Sequence, residues 1–159
     1  MDSEFGTLID DPSMRPRQRP GLDRQRELSG EAAGAAVGED QLEEQQRREA
    51  VQRELVSTEA AYYEDYGARL NAASWSGFEC FMRYNPTVAL PLLAAESTGQ
   101  LVATWTGGDE CLSLRFVDRY RFHYAITATS PQGLLRRWGT AHALTFFAEH
   151  PDAERLATS

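Results

Sequence analysis

QLVATWTGGDECLSLRFVDRYRFHYAI, residues 100–126, decides the fold of this chain. Apolar and polar residues alternate through it in three short runs, and turn-forming clusters at 106–109 and 118–120 separate these runs. Alternation with a period of two is typical of a β-strand that buries one face. Short alternating runs joined by turn clusters predict an antiparallel meander.

A fourth run, residues 92–95, precedes this stretch and ends at a turn-forming cluster, residues 97–99. One face of the resulting sheet is apolar, and such a face needs helices to cover it. We therefore predict the α+β class: a four-stranded antiparallel β-meander covered on one face by two or three helices. The predicted strands are Leu92–Ala95, Gln100–Trp105, Cys111–Val117 and Phe122–Ile126.

Two helices are predicted, one before these strands in the sequence and one after them. The first follows Asn71 or Ser74, both good N-caps, and ends at Tyr84 because Asn85-Pro86 opposes helix continuation. The second covers Ala141–Glu149. The first helix has an apolar face at helical spacing, which predicts packing against the core. That face consists of Trp75, Phe78, Phe81 and Met82.

A third helix, acidic and rich in strong helix formers, is predicted for residues 39–65. Its apolar stripe is thin, and such a stripe does not hold an isolated helix firmly. Three outcomes stay open: the helix packs on the domain, pairs with a partner or second copy, or frays. In the second case Leu55 and Tyr62 are the binding residues that we expect to contact the partner.

The chain is predicted to have three parts: a disordered arm over 1–38, the acidic helix over 39–65 and a compact domain over 66–159. Residues 1–38 have too few large apolar side chains to offset the entropy cost of ordering, and residues 1–13 are expected to derive from cloning. Charge follows the same division. Residues 1–38 carry five Arg and seven acids, residues 39–67 carry three and nine, and residues 68–159 carry eight of each.

Composition restricts the classes of function. A net charge of −8 argues against a nucleic-acid partner, because phosphate-backbone binding needs a positive footprint. Cys80 and Cys111 lack the spacing of a zinc site, so no metal and no cofactor is expected. With no long apolar run and no signal-peptide core, we expect a cytoplasmic protein with no membrane partner. A domain of about 90 residues is marginally stable, so another protein or self-association as a homodimer is expected.

The candidate site is a basic patch on the polar side of the sheet. If Phe116 faces Phe122 across the hairpin, Arg115 faces His123 on the other side. Such a patch would receive an acidic partner segment or a phosphate; it would equally be solvated, or covered by the acidic arm of the chain. The expected binding residues are Arg115, Arg119, Arg121 and His123.

Catalytic residues are not predicted. A nucleophile–base pair would need Cys or Ser beside His, and Cys111 lies on an alternating strand where a buried thiol is expected. The acids of the domain form no close pair that resembles a general acid and base. A weaker candidate feature is Arg136-Arg137-Trp138, which would present cations and an indole to a partner.

The chain resembles a group of short uncharacterised bacterial proteins. The resemblance covers about 65 residues and rests on Tyr66-Gly67-Ala68, the helix to Tyr84, the Leu90-Pro91 strand entry and the strand from Gly99 to Trp105. It implies the same α+β fold and names no activity.

Two functions are expected from these observations. The first is a non-enzymatic protein–protein interaction factor (an inhibitor, an immunity or antitoxin-like factor, or an accessory subunit) that docks through the acidic helix or the Arg-lined sheet face. The alternative is a small enzyme or anionic-ligand-binding domain that uses Arg115, Arg121 and His123. An enzyme needs a concave pocket with converging polar groups, whereas an interaction surface can be flat.

Overall fold

The computed structural model describes the backbone of residues 23–159 and the side chains of residues 38–159. The chain divides into two units, residues 1–41 and 42–159, and all contacts described below lie within the second unit. Its elements are α1 Asp23–Tyr66, α2 Ala72–Tyr84, β1 Leu92–Ala95, β2 Leu101–Gly107, β3 Glu110–Phe116, β4 Arg121–Ser130, β5 Gly133–His142, α3 Phe146–Glu149 and α4 Pro151–Thr158. This is the predicted α+β class.

The sheet is an antiparallel meander of five strands in the order β1-β2-β3-β4-β5, so the prediction of four strands is wrong by one. The four expected strands are present, and the predicted pairing of Phe116 with Phe122 and of Arg115 with His123 is the observed register. The additional strand, β5, pairs with β4 from Arg121↔His142 to Ser130↔Gly133. Residues 141 and 142, predicted to begin a helix, therefore end a strand, and the helices start later.

Helix α2 has the predicted limits. The Asn71 side chain accepts hydrogen bonds from the Ala73 and Ser74 amides at 3.0 and 3.1 Å, which satisfies two donors of the first turn. Phe81 of α2 lies among the rings of Phe116 and Phe122, each with its centroid 5.7 Å away in an edge-on arrangement. These contacts bury the alternate residues of β3 and β4 that the sequence pattern marks as apolar.

Helix α1 is longer than predicted. It spans Asp23–Tyr66, whereas the predicted helix covers residues 39–65, and residues 1–22 of the predicted disordered arm lie outside the described part of the chain. The compact unit begins at Leu42 rather than at residue 66, because the apolar stripe of α1 belongs to the core. Buried residues of this stripe are Val51, Leu55, Thr58 and Tyr62.

Arg47 joins α1 to the end of α2. Its guanidinium donates to the carbonyl oxygens of Val88 at 2.6 Å, Asn85 at 3.1 Å and Met82 at 3.5 Å. Carbonyls at a helix C-terminus lack intrahelical donors, and a cation there also complements the helix dipole. Partial burial lowers the pKa of Arg47, but the group stays charged at neutral pH.

Glu110 connects the β2–β3 turn region to β4 and α4. Its carboxylate accepts from the Thr129 amide at 2.7 Å and pairs with Arg155 at 2.8 Å. The Thr129 hydrogen bond first, and then Arg155, lower the pKa of Glu110 below its ordinary value. Within the described residues, no helix is both long enough and apolar enough to cross a bilayer.

Candidate functional site

The two faces of the sheet differ in what covers them. On the inner face, residues such as Leu112, Leu114 and Phe116 are buried against the helices. The residues between them point to the opposite side, since side chains alternate along a strand. We call this opposite side the open face. Its residues are Leu92, Ala94, Val102, Thr104, Thr106, Cys111, Ser113, Arg115, Arg121, His123, Ala125, Thr127, Thr129, Leu134, Arg136, Trp138, Thr140 and His142.

One cross-strand row of the open face is polar. The register places Val102, Arg115, His123 and Thr140 side by side on four successive strands. The Nδ1 atom of His123 lies 2.8 Å from the Thr140 hydroxyl oxygen. Arg115 Nη1 lies 3.3 Å from a carboxylate oxygen of Glu96, just past the end of β1. His123 is therefore oriented by β5, and Arg115 already has an anionic partner.

The neighbouring cross-strand row consists of small side chains and one indole ring. Thr104, Ser113 and Ala125 are small, and Trp138 follows them on β5. The Trp138 side chain is 78% exposed, in contrast to Trp105, which is 5% exposed in the core. A shallow depression of about 510 Å³ lies between the two rows and is lined by residues of both. An exposed indole beside small residues leaves an apolar surface that no described helix covers.

The structure brings together only part of the predicted basic patch. Arg115 and His123 are direct cross-strand neighbours. Arg121 lies at the start of β4 and pairs with Asp118, 2.6 Å away. Hydrogen bonds from the Tyr120 amide and then from the Arg121 side chain lower the pKa of Asp118, so this pair stays ionised at neutral pH. The Arg121 guanidinium is thus already paired with a carboxylate of the β3–β4 turn.

Arg119 is outside the open face. It lies in the turn between β3 and β4, and its guanidinium carbon is 5.4 Å from the centre of the Tyr120 ring. Hydrogen bonding to Cys80 of α2 raises the pKa of Arg119. Since Cys80 is buried on the helix side, Arg119 turns toward the helices and away from His123.

The two predicted binding residues of α1 are internal. Leu55 is fully buried, and Tyr62 is 7% exposed with its hydroxyl donating to the Ser97 carbonyl at 3.0 Å. Of the outcomes left open for this helix, the structure shows packing on the domain for its second half. A partner therefore cannot reach these two side chains without opening the core.

The distribution of acids distinguishes the open face from the rest of the chain. From Arg119 to Ala148 there is no Asp or Glu, although the chain has 24 acids. This span includes all of β4 and β5 and contains four Arg and two His. The absence of acids in 30 residues is the sequence signal that could have indicated β5 as part of the site.

The geometry does not bring Cys111 and His123 together as a nucleophile–base pair. Cys111 is opposite Thr127, and His123 is four residues from Thr127 along β4, a distance of about 13 Å in an extended strand. Partial burial raises the pKa of Cys111, so its thiol is protonated at neutral pH and a weak nucleophile. Within residues 38–159, no three His, Cys, Asp or Glu side chains are grouped so that they could hold a metal ion.

Comparison with family models, with curated proteins and with solved structures finds no match to this chain.

Proposed function

We propose that this protein is a non-enzymatic interaction factor that docks an acidic partner protein on the open face. The observation that carries the proposal is the 78% exposure of Trp138 on a sheet face that no described helix covers. Trp and Arg are enriched among the residues that dominate binding energy in protein interfaces. Leu92 and Leu134 are also exposed on this face, and contiguous exposed apolar patches mark interaction sites.

The charge of the surface supports an acidic partner. Around Trp138 lie His123, Arg136 and Arg115, of which Arg115 pairs with Glu96, and strands β4 and β5 contain no acid. Within the described residues, Arg136 takes part in none of the ion pairs. Complementary charge steers the encounter and selects the partner more than it adds affinity. An inhibitor, an immunity or antitoxin-like factor, or an accessory subunit fits this arrangement.

Binding of a small anion is the weaker proposal. It would use Arg115, Arg121 and His123, but Glu96 pairs with the first and Asp118 with the second. A small anion would have to displace both carboxylates. The ion pairs that it formed in exchange would be weak and screened by salt, because the surface is exposed. The depression is also shallow, whereas small-molecule sites bury most of their ligand.

The test is affinity capture of partners from an extract of the source cells, with quantitative mass spectrometry. The full chain is compared with Trp138→Ser and with the control Val56→Ser, which changes a residue of α1 that is 58% exposed. We expect an acidic protein to be retained by the wild type and by the control and lost with Trp138→Ser. Equal retention by all three proteins would show that the open face is not the docking surface.

A further inference from the structure

The free edge of β5 differs from the edge at the other end of the sheet. β1 is four residues long and follows Pro91, features that protect an edge from pairing with other chains. β5 has ten residues, and none of them is Pro, Asp or Glu. Within the described residues, no strand pairs with its outer side. Its charged residues, Arg136 and Arg137, oppose a cationic strand, whereas its free backbone groups are a template for an added strand of opposite charge.

The hydrogen-bonding pattern identifies which backbone groups of β5 are free. In an antiparallel pair, alternate residues direct both their N–H and C=O groups to the same neighbour. Just past the end of β5, the Ala143 amide donates to the Tyr120 carbonyl at 2.7 Å, so the odd-numbered residues bond to β4. The even-numbered residues then direct their amides and carbonyls to the free edge. These residues are Leu134, Arg136, Trp138 and Thr140, whereas the His142 carbonyl, at the end of the strand, already accepts from the Thr145 amide at 3.2 Å.

The same even-numbered residues place their side chains on the open face. Leu134 is 53% exposed and Trp138 is 78% exposed, and Arg136 lies between them. A strand added beside β5 would therefore gain backbone hydrogen bonds and side-chain contacts with the open face together. In strand addition the backbone supplies affinity and alternate side chains supply specificity.

We infer that the edge of β5 binds an extended acidic segment of a partner protein as a sixth strand of the sheet. The inference rests on the proposed function and specifies how the partner binds. The positive charge of β5 favours an acidic segment over a second copy of the chain. Pairing β5 with another β5 would bring two acid-free strands together, each carrying Arg136 and Arg137, whereas an acidic strand complements Arg136.

The experiment measures amide hydrogen exchange in the full chain by NMR. The probe is a ten-residue peptide of alternating Glu and Val, and the control is the same peptide with Lys in place of Glu. With the acidic peptide, exchange of the Leu134, Arg136 and Trp138 amides should slow by about tenfold or more, because they become hydrogen-bonded. The Leu135 and Arg137 amides, already bonded to β4, should not change, and the Lys peptide should have no effect.

Variants separate charge recognition from changes in folding. Arg136→Glu should weaken binding of the acidic peptide by about tenfold and should allow binding of the Lys peptide. Arg53→Glu makes the same charge change on an exposed part of α1 and should leave binding unchanged. Trp138→Pro removes one edge amide and should abolish the slowing. Since Pro also restricts the backbone of β5, Arg136→Glu is the deciding variant.

Three outcomes would overturn the inference. If the acidic peptide shifts open-face side-chain resonances without slowing the edge amides, docking uses the face alone, and only the proposed function stands. If the edge amides slow with protein concentration and without peptide, the occupant is a second copy. If no amide slows at millimolar peptide, the edge does not accept an acidic strand, and the capture experiment decides the proposed function separately.

Discussion

Gly77 shows how closely α2 approaches the sheet. A Cβ atom built at this position would lie 2.3 Å from the Asp118 carbonyl oxygen and 3.3 Å from the Cβ of Phe116. The first contact is with backbone, which cannot rotate away as a flexible side chain does. The absence of a side chain at Gly77 therefore fixes the distance between the helix and the β3–β4 turn.

We expect Gly77→Ala to destabilise the protein by about 1–3 kcal/mol, the usual cost of overpacking, even though Ala is the better helix former. The measurement is the free energy of unfolding in urea. The control is Gly38→Ala in α1, where an added Cβ meets nothing within 4 Å and should cost no stability. An unchanged unfolding free energy for Gly77→Ala would contradict the close approach of α2.

Among single residues, Trp138 contributes most to the candidate site and least to the core. Truncating it removes exposed surface only, so a loss of binding with Trp138→Ser can be attributed to the interface and not to unfolding. Trp105 has the opposite role: its indole Nε1 donates to the Ala89 carbonyl at 2.9 Å in the core. The exposed Trp138 and the buried Trp105 can therefore be compared within one protein.

At the scale of elements, Arg47 connects two helices that the sequence separates by a turn. Replacing it with Met keeps an unbranched apolar stem and removes the donors to three backbone carbonyls. We expect Arg47→Met to lower the unfolding free energy by about 1.5–3 kcal/mol, because hydrogen bonds from a charged group are lost.

The adjacent residue supplies the control for this change. Arg48 is 69% exposed in its side chain and pairs with Glu44 one turn earlier in α1. Exposed pairs of this kind contribute at most about 0.5 kcal/mol, so Arg48→Met should have little effect. Similar losses for both variants, measured by urea unfolding, would mean that Arg47 does not hold the end of α2.

The elements that could be predicted from sequence are those with one buried face. α2 and the strands β1 to β4 carry apolar residues with a clear period, and the Phe116–Phe122 pairing follows from that period. β5 was not predicted because its open-face residues are all exposed and its inner-face residues include Arg137 and Gly139, so its sequence lacks apolar alternation. An edge strand takes its conformation from pairing with its neighbour, and local pattern does not report that pairing.

The same reasoning explains which site residues were predicted. Arg115 and His123 follow from the register of two patterned strands, whereas Arg119 turns toward Cys80 in a loop that has no period. Leu55 and Tyr62 were predicted to bind a partner, whereas both are buried inside the domain. Sequence alone left open whether their contact was with the domain or with a partner.

At the scale of the whole molecule, burial and charge are divided between the two faces of the sheet. Helices α2 and α4 contribute Phe78, Phe81 and Leu156 to the core on the inner face, and the stripe of α1 joins the same core. The open face is left with small residues, exposed Leu and Trp, and cations in an acidic chain. A surface that combines these features is suited to binding and not to solvation alone.

Hydroxyl-radical footprinting of the full chain, read out by mass spectrometry, tests whether the open face is exposed in the free protein and covered in the complex. In the free protein, Trp138 should be oxidised much faster than the buried Trp105, and Leu92, 76% exposed on the same face, should also be modified. With the captured partner bound, Trp138 and Leu92 should become protected while Val56 on α1 stays reactive. If Trp138 is as protected as Trp105 in the free chain, or remains reactive in the complex, the open face is not the functional surface.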